Sequence, residues 1–133
     1  MADFYAALRL RLLTDVNVRA IVDGKRIFWT IVPAGTARPY IRLQAISDPR
    51  PQLLDEYEDG RTTRVQCDIF ADTHSDATAL AEAVIAAVAE PGEFGGVLFG
   101  NVRAEGPRDL GEDGDQGFIH RASIDLLAEH SRA

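Results

Sequence analysis

Three histidines, His74, His120 and His130, and one cysteine, Cys67, are the side chains best suited to nucleophilic, acid–base or metal chemistry in this chain. None of the histidines stands at a metal-ligand spacing from the cysteine. Cys67 occupies the apolar side of an alternating stretch, the setting of a buried thiol and not of a nucleophile. Asp72 and His74 could form an acid–imidazole pair. The turn residues around them point instead to capping of the helix that follows. His120 lies on the apolar side of the last alternating stretch, as a hydrogen-bonded core or rim histidine would. Glu112-Asp113-Gly114-Asp115 has the look of a calcium loop but lacks its spaced ligands and terminal glutamate. Gly92-Glu93-Phe94-Gly95-Gly96 has no Gly-Lys-Ser/Thr after it and precedes a strand, the reverse of a phosphate loop. No serine, cysteine or lysine has a base at readable spacing. The expectation is therefore no catalytic residue, no cofactor and no metal.

The elements that would position these residues centre on Arg61–Glu90. In Arg61–Ala71, Val65, Cys67, Ile69 and Ala71 alternate with Arg64, Gln66 and Asp68, the period of a half-buried strand. Thr73-His74-Ser75-Asp76 fits a capping box. The helix from about His74 to Ala89 then carries Ala77, Leu80, Ala81, Val84, Ile85 and Val88 on one stripe, and Pro91-Gly92 ends it. Upstream, Ala2–Leu13 reads as a helix with Phe4, Leu8 and Leu12 on one face and Arg9 and Arg11 off it. Thr14 or Asp15 could cap a short second helix, Val16–Val22. Strands are predicted at Arg26–Val32 and Tyr40–Ile46. Downstream, Gly92–Gly96 reads as a flexible connector and Val97–Ala104 as a weaker strand. Glu105–Gly117 reads as a polar, glycine-rich loop, and Phe118–Leu127 as a closing strand with frayed residues after it. The order α-α-β-β-β-α-β-β, with strands following one another directly, predicts an α+β fold. Its sheet is mostly antiparallel or mixed, with the helices packed on one face. Arg42/Gln44, Arg64/Gln66/Asp68 and Arg121/Ser123/Asp125 would share the opposite face. That face is either solvated, as antiparallel sheets often are, or a surface that meets another subunit or lines a passage.

At 133 residues the chain (1–133) is expected to form one domain. Its net charge of −7 gives little support to nucleic-acid binding. A lone cysteine excludes an internal disulfide. No run approaches the roughly 18 apolar residues of a membrane span, and Arg9 and Arg11 interrupt any signal-like segment. A soluble protein of a reducing cytoplasm, with no membrane partner, is the expectation. Ser47–Gly60 (SDPRPQLLDEYEDG) is long for a link between two strands, where about two to five residues are usual. It sets Leu53, Leu54 and Tyr57 among acids and prolines. These three are candidate partner-contact residues, because a free loop would leave their apolar area in water.

Leu12-Leu13-Thr14-Asp15 is followed by Val18-Arg19-Ala20-Ile21-Val22, by Arg26-Ile27-Phe28 and by Arg38-Pro39-Tyr40-Ile41. Arg64-Val65-Gln66-Cys67-Asp68-Ile69-Phe70-Ala71 then leads into Leu80-Ala81-Glu82-Ala83-Val84. This succession, over nearly the whole chain, resembles the tail-terminator, or tail-completion, proteins of long-tailed bacteriophages and gene transfer agents. Glu105–Gly117 departs from the pattern. The resemblance implies a structural particle protein and not an enzyme, made in the host cytoplasm and placed at the head–tail junction. It would act there as a hexameric ring that caps the head-proximal end of the tail tube and stops its polymerisation. Its partners would be further copies of itself, the tail tube protein and a head-side connector or stopper protein, with DNA passing through the ring without specific binding. Two other classes remain open from the residues: another phage neck or head–tail joining protein, and a small cytoplasmic enzyme or ligand-binding domain whose site forms only in the fold.

Overall fold

The computed structural model describes residues 3–22, 26–48, 60–114 and 117–132. Its elements are α1 (Phe4–Thr14), α2 (Val16–Ile21), β1 (Ile27–Trp29), β2 (Tyr40–Ser47), β3 (Arg61–Ala71), α3 (His74–Ala87), β4 (Gly92–Phe94), β5 (Val97–Gly114) and β6 (Gly117–Arg132). The six strands form one mixed sheet in the order β1-β2-β3-β6-β5-β4. The β1–β2 pair is parallel and the other pairs are antiparallel. This is the α+β architecture that the element order implies, with one strand more than the sequence suggests.

Alternation along the central strands sorts the two faces. Ile41 and Leu43 of β2, Val65, Cys67 and Ile69 of β3, and Ile124 and Leu126 of β6 are all fully buried on one side. The helices lie over that side. Leu8 and Leu12 of α1, Val18 of α2, and Leu80, Ala81 and Val84 of α3 join the same core. Each helix start is fixed by a side chain. Asp15 Oδ1 accepts from the amides of Asn17 (2.9 Å) and Val18 (3.0 Å). Thr73 Oγ1 accepts from the Asp76 amide at 3.0 Å, which supplies the hydroxyl half of the expected capping box.

The end of α3 is held by a residue that the helical period places outside the core. Arg11 is buried, not off the packed face. Its Nε donates to Ala87 O at 2.9 Å, and its Nη2 donates to Glu90 O. Its guanidinium lies 4.7 Å from the Phe94 ring centroid and 5.2 Å from that of Phe99. One side chain thus satisfies carbonyls left open at a helix end while its charge rests on aromatic faces. Burial pulls its pKa down, and Asp15 partly offsets this.

Four expected boundaries shift. The strand over Arg26–Val32 stops at Trp29, because Thr30 takes φ 65° and turns the chain away from the sheet. Gly92–Gly96 is not a flexible connector: Gly92–Phe94 forms β4, and Gly95 and Gly96, at φ 56° and 80°, make the tight turn into β5. The expected loop Glu105–Gly117 is largely strand, since β5 runs to Gly114 and pairs with β6 to its tip (Gly114↔Gly117). The register shifts between Glu105 and Arg108, where Gly106 takes φ 110°. A Cβ at Gly106 would stand 2.9 Å from Ser123 O, so only glycine fits this bulge. The closing strand continues past Leu127 to Arg132, paired with β3 and β5.

Candidate functional site

The face of the sheet away from the helices carries the polar residues that alternation places there, and they form a network. The register aligns Arg42, Asp68 and Ser123 across β2, β3 and β6. The Asp68 side chain is fully buried at the centre of this face. Its carboxylate accepts from an Arg42 terminal nitrogen at 2.9 Å and from Gln66 Nε2 at 3.0 and 3.1 Å. An Arg121 terminal nitrogen lies 3.2 Å away. Burial alone would raise the Asp68 pKa. Hydrogen bonds from Arg42, Gln66 and Ser123, with the charge of Arg121, outweigh it and hold the carboxyl below its ordinary value. Both guanidiniums also lie over Phe70, each 5.6 Å from the ring centroid, and Tyr40 stacks on that ring at 4.8 Å.

A second carboxylate repeats the arrangement on the next row. Asp125 receives Arg64 at 2.8 Å and lies 3.5 Å from Arg108, and Arg64 also reaches Glu105 at 3.4 Å. The Asp68 and Asp125 carboxylates sit low on the sheet, while Arg64 and Arg108 extend outward above them. What this part of the face offers a neighbour is planar guanidinium edges already held in place by acids beneath them. Arginine in this setting hydrogen-bonds a partner at little ordering cost.

One polar cluster crosses into the core. Thr63 is fully buried on the apolar side of β3. Its Oγ1 donates to Asp48 Oδ1 at 3.0 Å and stands 2.8 Å from His130 Nε2. Tyr5 OH donates to the other Asp48 oxygen at 2.6 Å, and Phe4 stacks on the His130 ring at 4.0 Å. Acid, hydroxyl and imidazole meet here around one buried hydroxyl. The cluster ties α1, the end of β2, β3 and β6 together at the foot of the segment that follows Asp48.

The other predicted residues fall as follows. Cys67 is buried, and burial together with the charge of Asp68 pushes its thiol well above the ordinary range. Asp72 and His74 do not pair or cap. Asp72 Oδ1 receives Arg38 Nε at 2.6 Å, and His74 Nε2 lies 3.3 Å from Asp109 Oδ2, across to β5. His120 is a rim residue between Phe118 (4.9 Å) and His74 (6.0 Å). Among the described residues no group of three or more His, Cys, Asp or Glu side chains is placed to hold a metal, and no helix is long and apolar enough to cross a membrane. Leu53, Leu54 and Tyr57 lie outside the described residues. Arg108 escaped the sequence reading because its strand reads as loop. Thr63 carried a signal: a polar residue on the apolar period of β3.

A family model for tail completion protein gp17 matches residues 6–129. No curated protein matches the chain. Among solved structures, a chain from the virion of a native gene transfer agent particle has the same fold, with a TM-score of 0.68 at 18% identity. The match covers 96% of this chain and 94% of that one.

Proposed function

Because the chain belongs to the tail completion protein gp17 family, and is thus a structural protein of a phage-type tail, we propose that it closes the head-proximal end of a tail tube as a ring of copies. In this role it ends the growth of the tube and offers the other side of the ring to a head-side connector or stopper protein. The family match over residues 6–129 carries the reading. Likeness of fold to a chain of a gene transfer agent virion supports a place in such a particle. The described residues add a compatible chemistry. The open sheet face is a set of pre-positioned arginines suited to protein contact.

Leu53, Leu54 and Tyr57 dock on a neighbouring copy or on the tube protein in this reading. Burying a leucine contributes roughly 1.5–3 kcal/mol, and ordering the backbone around it costs on the order of 1–2 kcal/mol per residue. Each contact is therefore weak, and the ring depends on many forming together. DNA crosses the ring without a specific site, consistent with a chain of net charge −7. Deleting the gene and examining the particles by electron microscopy tests the role. The expected result is headless tubes of uncontrolled length, restored to joined particles by the wild-type gene. Tails of normal length that still join heads would overturn it.

A further inference from the structure

One cross-strand row of the open sheet face is apolar as well as cationic. The register sets Tyr40 of β2 beside Phe70 of β3, Phe70 beside Arg121 of β6, and Arg121 beside Leu110 of β5. Alternation puts all four on the side of Asp68 and Ser123, away from the helices. Tyr40 and Phe70 are stacked, and Leu110 is 41% exposed. Ile119, half-buried, lies on the same side two residues from Arg121, and Glu112 opposite it marks the rim. The guanidiniums of Arg42 and Arg121 cover the Phe70 ring, and each turns one terminal nitrogen toward Asp68. The second terminal nitrogen of each bonds no described residue. Aromatic rings and arginines, without lysine, are what protein interfaces concentrate at their centres. A fixed guanidinium with open donors beside apolar area suits a partner that offers an apolar side chain and a carboxylate together.

The chain itself contains that chemistry. Leu53-Leu54-Asp55-Glu56-Tyr57, followed by Glu58 and Asp59, sets three large apolar side chains directly against acids. Its place in the chain keeps it from its own row. The segment joins Ser47 to Arg61, whereas Tyr40 and Phe70 lie at the opposite ends of β2 and β3. A path from Ser47 along the strands to Phe70 and back to Arg61 is about 53 Å long. The connecting residues, every one fully stretched, span at most about 50 Å. A neighbouring copy can bring the same segment to the row without any such stretch. The row and the segment thus sit at opposite ends of one molecule, as the two unlike halves of a head-to-tail contact must.

We propose that in the ring the Leu53–Tyr57 segment of one copy docks on the open sheet face of the next, its apolar side chains on Tyr40, Phe70 and Leu110. Carboxylates of the segment take the open donors of Arg42 and Arg121. Each copy gives one segment and receives one, so the contact repeats around the ring. The inference rests on the ring reading above and names the surface that receives the segment.

Site-specific cross-linking separates the two. Leu54→Cys and Leu110→Cys are made singly, and Cys67, being buried, stays out of the reaction. The two variants are co-expressed during particle assembly, and purified particles are oxidised and run on a non-reducing gel. The expected result is a cross-linked dimer from mixed particles and none from particles carrying either variant alone. Mixed particles that show a ring at the tail end by electron microscopy but give no dimer would overturn the docking and leave the ring standing. Wild-type particles without any such ring would overturn both. Leu110→Asp supplies a second readout, because it sets an acid against the acids of the segment. It should abolish ring formation with the melting temperature of the free subunit nearly unchanged, since the side chain is 41% exposed. A ring that persists in the Leu110→Asp variant would also overturn the docking.

Discussion

Replacing Asp68 by alanine tests whether the open sheet face is a single electrostatic unit. The substitution removes a fully buried carboxylate and leaves the guanidiniums of Arg42 and Arg121 without it. Breaking a wholly buried ion pair costs about 3–5 kcal/mol. The Arg42 and Arg121 side chains are 31% and 26% exposed and can turn toward water, so the expected loss is smaller, about 2–3 kcal/mol. For a chain of this length that corresponds to a fall in melting temperature of roughly 6–15 °C. Asp68→Asn keeps the shape and two hydrogen-bonding atoms, and should lose about 1–2 kcal/mol. Acidity supplies a second readout. The folded-state pKa of Asp68 is depressed, so its contribution is present above the unfolded carboxyl value of about 3.9 and is lost as pH falls through the folded value. The stability gap between wild type and Asp68→Asn, measured by urea unfolding, should be full at pH 7 and close on acidification below about pH 4. An alanine variant within half a kilocalorie (about 0.5 kcal/mol) of wild type at pH 7 would refute the network, as would a gap indifferent to pH.

Three further outcomes are expected. Ile69→Ala, which truncates a fully buried β3 side chain between Ile41 and Ala122, should cost about 2–5 kcal/mol by urea titration, and a loss under about 0.5 kcal/mol would place the side chain outside the core. Arg11→Leu keeps apolar volume but uncaps Ala87 O and Glu90 O; about 1–3 kcal/mol should be lost, with faster amide exchange in the last turn of α3, and unchanged exchange would show the cap to be idle. Leu53→Asp with Leu54→Asp should leave the melting temperature of the free subunit nearly unchanged while abolishing ring formation or tail termination. Unfolding of that double variant would assign both leucines to the subunit's own core, and normal assembly would remove them from any contact.

The central unit was legible because two periods meet there. β3 alternates from Thr62 to Cys67 before its last residues are buried on both faces, and α3 follows it on a matching stripe, so both faces could be assigned from residues alone. The distal part of β5 was not legible, for a physical reason. It is an outer strand whose described residues from Glu105 on are exposed, so no buried face imposes alternation, and its pairing with β6 overrides the weak strand preference of Gly, Asp and Pro. Arg11 was misplaced because charge predicts solvent, whereas here the open carbonyls of α3 and two aromatic rings receive it inside the protein. The polar face was readable as a set of residues, but spacing does not tell which acid lies buried. That follows from the register, which brings Arg42 and Ser123 to either side of Asp68 and sets Arg121 beside Phe70.

Labelling the protein within assembled particles and locating the label by electron microscopy puts the proposed role to proof. A tail-completion ring predicts label at one position only, the head-proximal end of every tail, with unlabelled and overlong tubes when the gene is absent. Label spread along the tube, or at the distal tip, or on the portal side of tails that keep their normal length without the protein, would contradict it.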